Sequence, residues 1–378
     1  MIDLIESRDK IDEIDRKILE LFEQRMKITQ DVAEYKINTG KKVLDKEREQ
    51  QKLEVLSSLA SNPFNAHAVN ELFTQIMSMS RKWQYGYIAS NANIGYESYK
   101  KLSFDSKTKV AFFGEAGSYT EQAMIDFFGE EIEGISVCNF KQVMDMVKYE
   151  EVEFGVLPIE NSSTGGITDI FDLLFEYGNT IIGEHYVKID HALMAVKGAT
   201  EEDLKEVYSH PQGLLQCREY FEDKEWISLK PCTESTSAAA KYVSEKQDKS
   251  IGAIASTRAA KCYDLDVLQY GINKEEKNST RFIIITNKRI YNENANKVSI
   301  CFEIPHESGS LYTMLSHIIY NGLNMTKIES RPISGRTWEY RFFVEFEGNL
   351  KDPGVRNALI GINEEASSMK VLGNFKTV

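Results

Sequence analysis

Several common signatures are missing from these 378 residues. There is no C-x-x-C pair, and Cys138, Cys217, Cys232, Cys262 and Cys301 are scattered and odd in number. This argues against a metal centre and against a disulfide framework. Buried free thiols in a reducing cytoplasm are the expectation, and so is a cytoplasmic location. No apolar run approaches the length of a membrane span, so no membrane partner is expected. The first residues, MIDLIESRDK, lack the basic and apolar regions of a signal peptide. Positive charge is in deficit, with 45 Lys and Arg against 58 Asp and Glu and a net charge of −13. That balance argues against nucleic acid as a partner, although a local pocket can still bind anions. No G-x-G-x-x-G follows any strand pattern, and Gly114-Glu115-Ala116-Gly117 has the wrong spacing for a dinucleotide site.

What is present begins with a long helix. From Ile11 the residues Ile14, Ile18, Leu21, Ile28, Val32 and Tyr35 recur at helical steps and mark one buried seam. Arg25 falls on that seam where an apolar residue is due. A buried cation needs an anionic partner, either a carboxylate of a neighbouring helix or an anionic ligand. Lys36 lies three turns on and nearly on the same face. A second helix runs from Asp45 to about Ala60, with Leu53, Leu56 and Ala60 on a stripe that extends back through Glu49 and Asp45 beside Arg48. A third, after an Asn65 cap, carries Val69, Leu72, Phe73 and Ile76 on a side that continues into Ser80 and Gln84. Together these polar residues predict a polar cavity inside a helical bundle.

The rest of the chain, too long for one ordinary domain, alternates differently. A polar stretch from about Gly86 to Lys107 reads as a linker. Short apolar strands then alternate with helical patterns, at Val110–Phe113, Gly155–Ile159, Ala192–Val196, Ile251–Ala255 and Arg281–Ile285, which indicates an α/β domain. Its polar motifs sit at strand ends, where open α/β sheets bind ligands. They are Gly117-Ser118-Tyr119, Pro158-Ile159-Glu160-Asn161 with Ser162 to Gly166, Ser209-His210-Pro211-Gln212, Thr233 to Ala238 through Glu234, Ser235, Thr236 and Ser237, and Thr280-Arg281-Phe282. Ser or Thr before a helix caps it, and capping and anion binding coincide at a helix N-terminus. His210 is expected to orient the Ser209 loop rather than act as a base. A second linker, Asn287 to Asn296, precedes a small βαββαβ unit from Lys297.

Three resemblances follow. Residues 1 to about 90 resemble the all-helical class of chorismate mutase, through Arg8, Arg25, Lys36, Asp45, Arg48, Glu49, Ser80 and Gln84 in order. The resemblance implies that Arg8, Arg25 and Arg48 hold the carboxylates of chorismate, assisted by Ser80. It further implies that Lys36 and Gln84 donate to the ether oxygen, and that Glu49 and the backbone at Asp45 take the hydroxyl. Rearrangement to prephenate is pericyclic and needs positioning and charge stabilisation, not a nucleophile or cofactor. Arg8 and Arg25 are seventeen residues apart, roughly 25 Å on a straight helix and about a quarter turn different in azimuth. Arg8 therefore serves the pocket of a second subunit or none, and the first option is an intertwined homodimer or higher homo-oligomer.

Residues 108 to 285 resemble prephenate dehydratase, a two-lobed, periplasmic-binding-protein-like α/β fold. The resemblance places Ser118, Asn161, Ser162, Thr164, Ser209, Gln212, Ser235, Thr236, Ser237, Thr280, Arg281 and Phe282 around prephenate. Thr280 supplies the key hydroxyl, as proton donor or as a group that orients the leaving hydroxyl or a water. Residues 297 to 378 resemble an ACT regulatory module responsive to L-phenylalanine. The effector residues it implies are Gly309, Ser310, Leu311, Asn324, Met325, Glu329, Ser330, Arg331 and Pro332. The expected fold class is thus multidomain α plus α/β: helical 1–90, linker 91–107, α/β 108–285, linker 286–296 and βαββαβ 297–378. The expected function is conversion of chorismate to prephenate and then to phenylpyruvate, with feedback by L-phenylalanine and neither cofactor nor metal. The competing readings are a mutase coupled to the tyrosine branch, which needs the missing nicotinamide site, and a small-molecule sensor whose catalysis is lost.

Overall fold

A computed structural model describes residues 3–89, 94–232, 235–275, 277–333 and 335–377. Thr233 and Glu234 of the expected strand-end motif, and 91–93 of the expected linker, lie outside these residues.

Three helices come first: α1 (Leu4–Thr39), α2 (Lys46–Ser58) and α3 (Pro63–Ala89). Asp3 caps α1 by accepting from the backbone N–H groups of Ile5 and Glu6, and left-handed Gly40 ends it. Asp45 caps α2 through Arg48 N. The cap of α3 is Asn62 rather than the expected Asn65, because the Asn62 side chain accepts from Asn65 N with Pro63 as the first helical residue. The seam of α1 is also not buried as expected. Ile11, Ile14, Ile18, Leu21 and Ile28 are each more than half exposed, because the single chain supplies no helix to cover them.

The expected linker is not irregular. Gly86 belongs to α3, and a strand β1 (Glu97–Tyr99) follows. It pairs in parallel with β13 (Ile290–Asn292), so the two expected linkers form a small sheet with each other. Leu102 and Phe104 pack on the aromatic cluster of Phe128 and Phe154, which ties this stretch to the body.

The α/β body has two lobes. The first holds β2 (Lys109–Phe113), α4 (Tyr119–Phe128), β3 (Glu133–Val137), α5 (Phe140–Lys148), β4 (Phe154–Asn161), β5 (Gly165–Gly166), α6 (Thr168–Tyr177) and β6 (Thr180–Lys188). The second holds β7 (His191–Ala195), β8 (Glu206–Ser209), α7 (Pro211–Cys217), β9 (Ser228–Pro231), α8 (Thr236–Lys246), β10 (Ile251–Ser256), α9 (Thr257–Cys262) and β11 (Asp266–Gln269). The chain then returns to the first lobe through β12 (Ser279–Thr286), between β4 and β6. Two crossings therefore join the lobes. A third contact is made by Ser256 Oγ, which donates to Gly117 O at 2.6 Å. A Cβ at Gly117 would meet the α9 backbone at Ala259 Cα, 2.5 Å away, so only glycine allows this approach.

The C-terminal unit is β14 (Lys297–Glu303), α10 (Ser310–Tyr320), β15 (Met325–Pro332), β16 (Tyr340–Glu347), α11 (Pro353–Glu365) and β17 (Ser368–Phe375), in βαββαβ order. Its sheet does not stand apart. β17 continues onto β6 at Gly373 and Ile181, giving one ten-stranded sheet in the order β15-β16-β14-β17-β6-β12-β4-β2-β3, with β5 on β4. A Cβ at Gly373 would lie 2.1 Å from Ile181 O. On the other side, α11 packs against α3. Of the cysteines, Cys217 and Cys301 are buried as expected, but Cys138 and Cys262 are exposed and Cys232 is half-buried.

Candidate active sites

In the helical domain, the 36-residue α1 presents Arg25 and Lys36 toward α3 and α2. The Arg25 guanidinium donates to the Ser80 hydroxyl of α3. Lys36 Nζ donates to Val43 O in the α1–α2 loop at 2.5 Å. Gln84 is buried, with Nε2 donating to Ser80 O at 3.1 Å and Oε1 without a partner. Glu49 of α2 is gripped by Arg81, whose Nη1 donates to its two carboxylate oxygens at 2.7 and 2.5 Å. Arg81 Nε donates to Glu365 Oε1 of α11 at 2.9 Å. The five residues Arg25, Lys36, Glu49, Ser80 and Gln84 thus come together. Asp45, Arg48 and Arg8 are exposed. Asp45 acts as the α2 cap, and Arg8 sits near the far end of α1 from Lys36.

Burial lowers the pKa of Arg25, opposed by Glu49. Burial also lowers that of Lys36, opposed by Glu364 and then by Asp45 and Glu49. Against the cost of burial, Glu365 and Glu49 hold Arg81 firmly charged. Burial raises Glu365, yet His317 and Arg81 outweigh it and bring its carboxyl down to about 2. The result is a pocket with two cations whose charge is not fully compensated, next to an acid already fixed in place. An anion with a hydroxyl suits that arrangement.

In the body, a cleft of about 420 Å³ lies between the lobes. Ser118, Asn161, Gln212, Ser235, Thr236, Thr280 and Phe282 all line it, as expected. Alternation along β12 puts Thr280 and Phe282 on the cleft side. Asn161 Nδ2 donates to Thr280 Oγ1 at 2.9 Å, and among the described residues the threonine proton has no acceptor. Gln212 Nε2 donates to Thr164 Oγ1 at 2.7 Å across the lobes. Ser118, His210 and Ser235 each cap a helix, namely α4, α7 and α8, and each lines the cleft. Three helix N-termini therefore converge on a cleft whose lining, among the described residues, holds no lysine or arginine.

Five expected residues do not line the cleft. Ser162 accepts from Ser279 N at 2.9 Å. Ser209 is fully buried and donates to Ile254 O at 2.7 Å. Ser237 is also fully buried, 3.1 Å from the Ser235 hydroxyl. Arg281 points to the opposite face of β12, since the strand period is two. There it pairs with Glu184 at 2.6 Å and bidentately with Glu345 of β16 at 2.8 and 2.7 Å. Thr164 touches the cleft only through Gln212.

The sequence reading also missed functional candidates. His191, at the start of a strand read as purely apolar, lines the cleft with Nδ1 3.2 Å from Tyr119 Oη and Nε2 3.0 Å from Gln216 Oε1. Burial lowers its pKa, opposed by Gln216 and Asp190. Phe113 and Phe140 supply an apolar wall. Arg81 stood next to Ser80 and was legible as a second seam cation. Glu364 and Glu365 gave no signal, being some three hundred residues away. His210 Nδ1 accepts from Gln212 N at 3.3 Å, a capping role, and burial lowers its pKa.

The expected effector residues spread along β15 and the start of α10. Gly309 caps α10 in the left-handed region, at φ 83°. It follows β14, so it lies at the end of the sheet where Arg331 and Pro332 leave β15, beside the Glu303–Arg341 pairing. Ser310 and Leu311 start α10 at that end. Asn324 and Met325 lie at the other end, roughly 23 Å away along the strand. Arg331 pairs with Asp172 of α6 at 2.8 Å, Glu329 lies beside Gly166, and Ser330 is exposed. A single chain does not gather these residues around one small molecule.

Comparison with known proteins gives matches over most of the chain. Residues 7–85 match the family described as chorismate mutase type II, and residues 110–290 match prephenate dehydratase. The bifunctional chorismate mutase/prephenate dehydratase of Pseudomonas aeruginosa is 32% identical over 374 residues, 97% of this chain and 96% of its own length. That of Escherichia coli K12 is 31% identical over 98% of this chain and 95% of its own. Among solved structures, a prephenate dehydratase from Arthrobacter aurescens in complex with L-Phe is 27% identical with a TM-score of 0.66, covering 71% of this chain and 90% of that one. GqqA, described as a novel type of quorum quenching acylase, is 26% identical with a TM-score of 0.65, covering 71% and 98%.

Proposed function

The chain belongs to the bifunctional chorismate mutase/prephenate dehydratase family, and from that premise we infer an enzyme of L-phenylalanine biosynthesis with both activities. It rearranges chorismate to prephenate and then dehydrates and decarboxylates prephenate to phenylpyruvate. The observation that carries this is the presence of two separate polar sites, one in each matched segment. The domain limits proposed are 1–90, 108–285 and 297–378, the last as an ACT module.

In the helical site, Arg25 with Ser80 and Arg48 hold the carboxylates of chorismate. Glu49, oriented by Arg81, takes the hydroxyl along with the backbone at Asp45. Lys36 and Gln84 donate to the ether oxygen as its bond to carbon breaks, so negative charge forms where a cation already stands. Arg8 comes from a second copy whose α1 covers the exposed Ile11–Ile28 seam. The apolar residues on that seam and the distance of Arg8 from Arg25 both support an intertwined dimer.

In the cleft, the three helix N-termini neutralise the carboxylates of prephenate, and the aromatic wall holds its ring. The Thr280 hydroxyl, its oxygen engaged by Asn161, directs its proton at the leaving hydroxyl. One carboxylate leaves as carbon dioxide while the ring becomes aromatic. Overall the dianion takes up one proton and gives phenylpyruvate, carbon dioxide and water. An acyl-transfer reading, raised by the quorum-quenching neighbour, has no such support. Among the described residues neither cleft histidine is hydrogen-bonded to a serine.

L-phenylalanine is the effector. Edge strand β15 is free on one side, and antiparallel pairing with its copy brings Asn324 and Met325 of one chain to Gly309–Leu311 and Glu329–Pro332 of the other. Purified protein given chorismate tests the whole reading. Phenylpyruvate formation suppressed by L-phenylalanine agrees with it. Accumulated prephenate removes the dehydratase, and binding without turnover favours a sensor.

A further inference from the structure

Two consecutive acids of α11, in the C-terminal unit, reach the helical site from behind. Glu365 is almost fully buried, and Arg81 ties it to Glu49 in a chain of charge-assisted bonds. Its Oε1 also receives the Tyr85 hydroxyl at 3.3 Å and lies 3.3 Å from His317 Nε2. Glu364 accepts from the backbone N–H of Val43 at 2.9 Å and of Leu44 at 3.0 Å, and from the Tyr85 hydroxyl at 2.7 Å. Val43 O is the same group that receives Lys36 Nζ. Glu364 therefore fixes the loop that fixes Lys36, and Glu365 fixes the arginine that fixes Glu49. The two acids come from residues about three hundred positions away and sit on one helix end. One acts on Lys36 and the other on Glu49.

We propose that Glu364 and Glu365 are positioning residues of the mutase, so that the C-terminal unit completes the helical site and any shift of α11 reaches chorismate turnover directly. The proposal rests on the reading that Lys36 and Glu49 serve that reaction. The carboxylate at 364 takes two adjacent N–H groups on its two oxygens, and Gln would replace one of those acceptors with an NH2 donor facing an N–H. A carboxylate at 365 compensates a buried guanidinium that would otherwise draw Glu49 toward itself alone.

The test uses the full chain with Glu364→Gln, Glu365→Gln, Glu49→Gln and the double variant Glu49→Gln/Glu365→Gln. Dehydration of supplied prephenate in the same preparations serves as the internal control for folded protein. Glu364→Gln is expected to lower mutase kcat with KM little changed, since Lys36 acts on the breaking bond. Glu365→Gln is expected to raise KM for chorismate as well, since Glu49 holds its hydroxyl. Losses on the order of tenfold to a hundredfold are expected, the range for a displaced reacting group. In the Glu49→Gln background, Glu365→Gln is expected to add little, because its effect runs through Glu49. A merely structural role would give the same fractional loss in both backgrounds and in both activities. Mutase parameters unchanged in both single variants, with Glu49→Gln still impaired, would overturn the proposal while the site reading stands. A normal rate in Glu49→Gln would overturn both. Where Glu365→Gln fails to fold, Glu364→Gln on its half-exposed side chain decides alone, by its mutase-to-dehydratase ratio.

Discussion

The two-lobed body and the helical domain finish their sites in different ways. In the body, Asn161 meets Thr280 and Gln212 reaches Thr164 across the lobes of one chain, and the two crossings and three helix ends are all supplied locally. In the helical domain, Arg25 and Lys36 sit on a seam whose other members lie in solvent, and Glu49 is held from the C-terminal unit. The first site is closed by a single fold. The second draws on a neighbour within the chain and, in our reading, on a second copy outside it. An apolar period in a sequence reports what is buried in the working assembly, which need not be the chain alone.

That contrast can be broken most severely at the reacting groups. Lys36→Ala is expected to cost the mutase about 10²–10³ in kcat, the scale for removing one donor to developing charge, while dehydration of supplied prephenate continues. Loss of both activities would contradict separate sites. Thr280→Ala should do the reverse, with a dehydratase loss on the order of 10²–10³ and a normal mutase. The contrast sharpens at Arg281, which belongs to the joint between body and C-terminal unit. Arg281→Met leaves Glu345 buried without its partner and Glu184 with Lys297 alone, and should cost about 3 kcal/mol in urea unfolding. Ile18→Asp on the α1 seam should make the mutase rate per chain fall on dilution while the dehydratase rate stays constant, weakening the pairing by about 1.5–3 kcal/mol per side chain. The smallest effect is in pH. Burial lowers the Lys36 pKa, and the mutase needs its protonated form. The mutase rate should therefore decline with rising pH at a value below the ordinary 10.5 of lysine, with no matching decline in the dehydratase.

Much of this was legible. Helical spacing put Arg25, Lys36, Glu49, Ser80 and Gln84 on facing sides of three helices, because period alone fixes azimuth. The strand-end motifs found the cleft because sheet topology puts strand ends and helix N-termini together. Within Thr280-Arg281-Phe282, period two alone sends Arg281 to the face opposite its neighbours. Ser209 and Ser237 were misplaced for another reason: a serine near a pocket serves the backbone as readily as a ligand, and spacing does not separate the two. The pairing of Glu97–Tyr99 with Ile290–Asn292 left no trace, since three-residue strands carry too little pattern. Glu364 and Glu365 were invisible because the contact is tertiary, between helices that no local rule connects.

The most direct measurement mixes two inactive chains. Arg8→Ala and Lys36→Ala are each expected to lack mutase activity. If each pocket takes Lys36 from one chain and Arg8 from the other, a mixed dimer holds one intact pocket. Equal amounts, unfolded and refolded together, should then regain about a quarter of the wild-type mutase rate, since half of the dimers are mixed and each has one working site of two. No recovery beyond the separate chains, with mixed dimers present, would contradict the shared site.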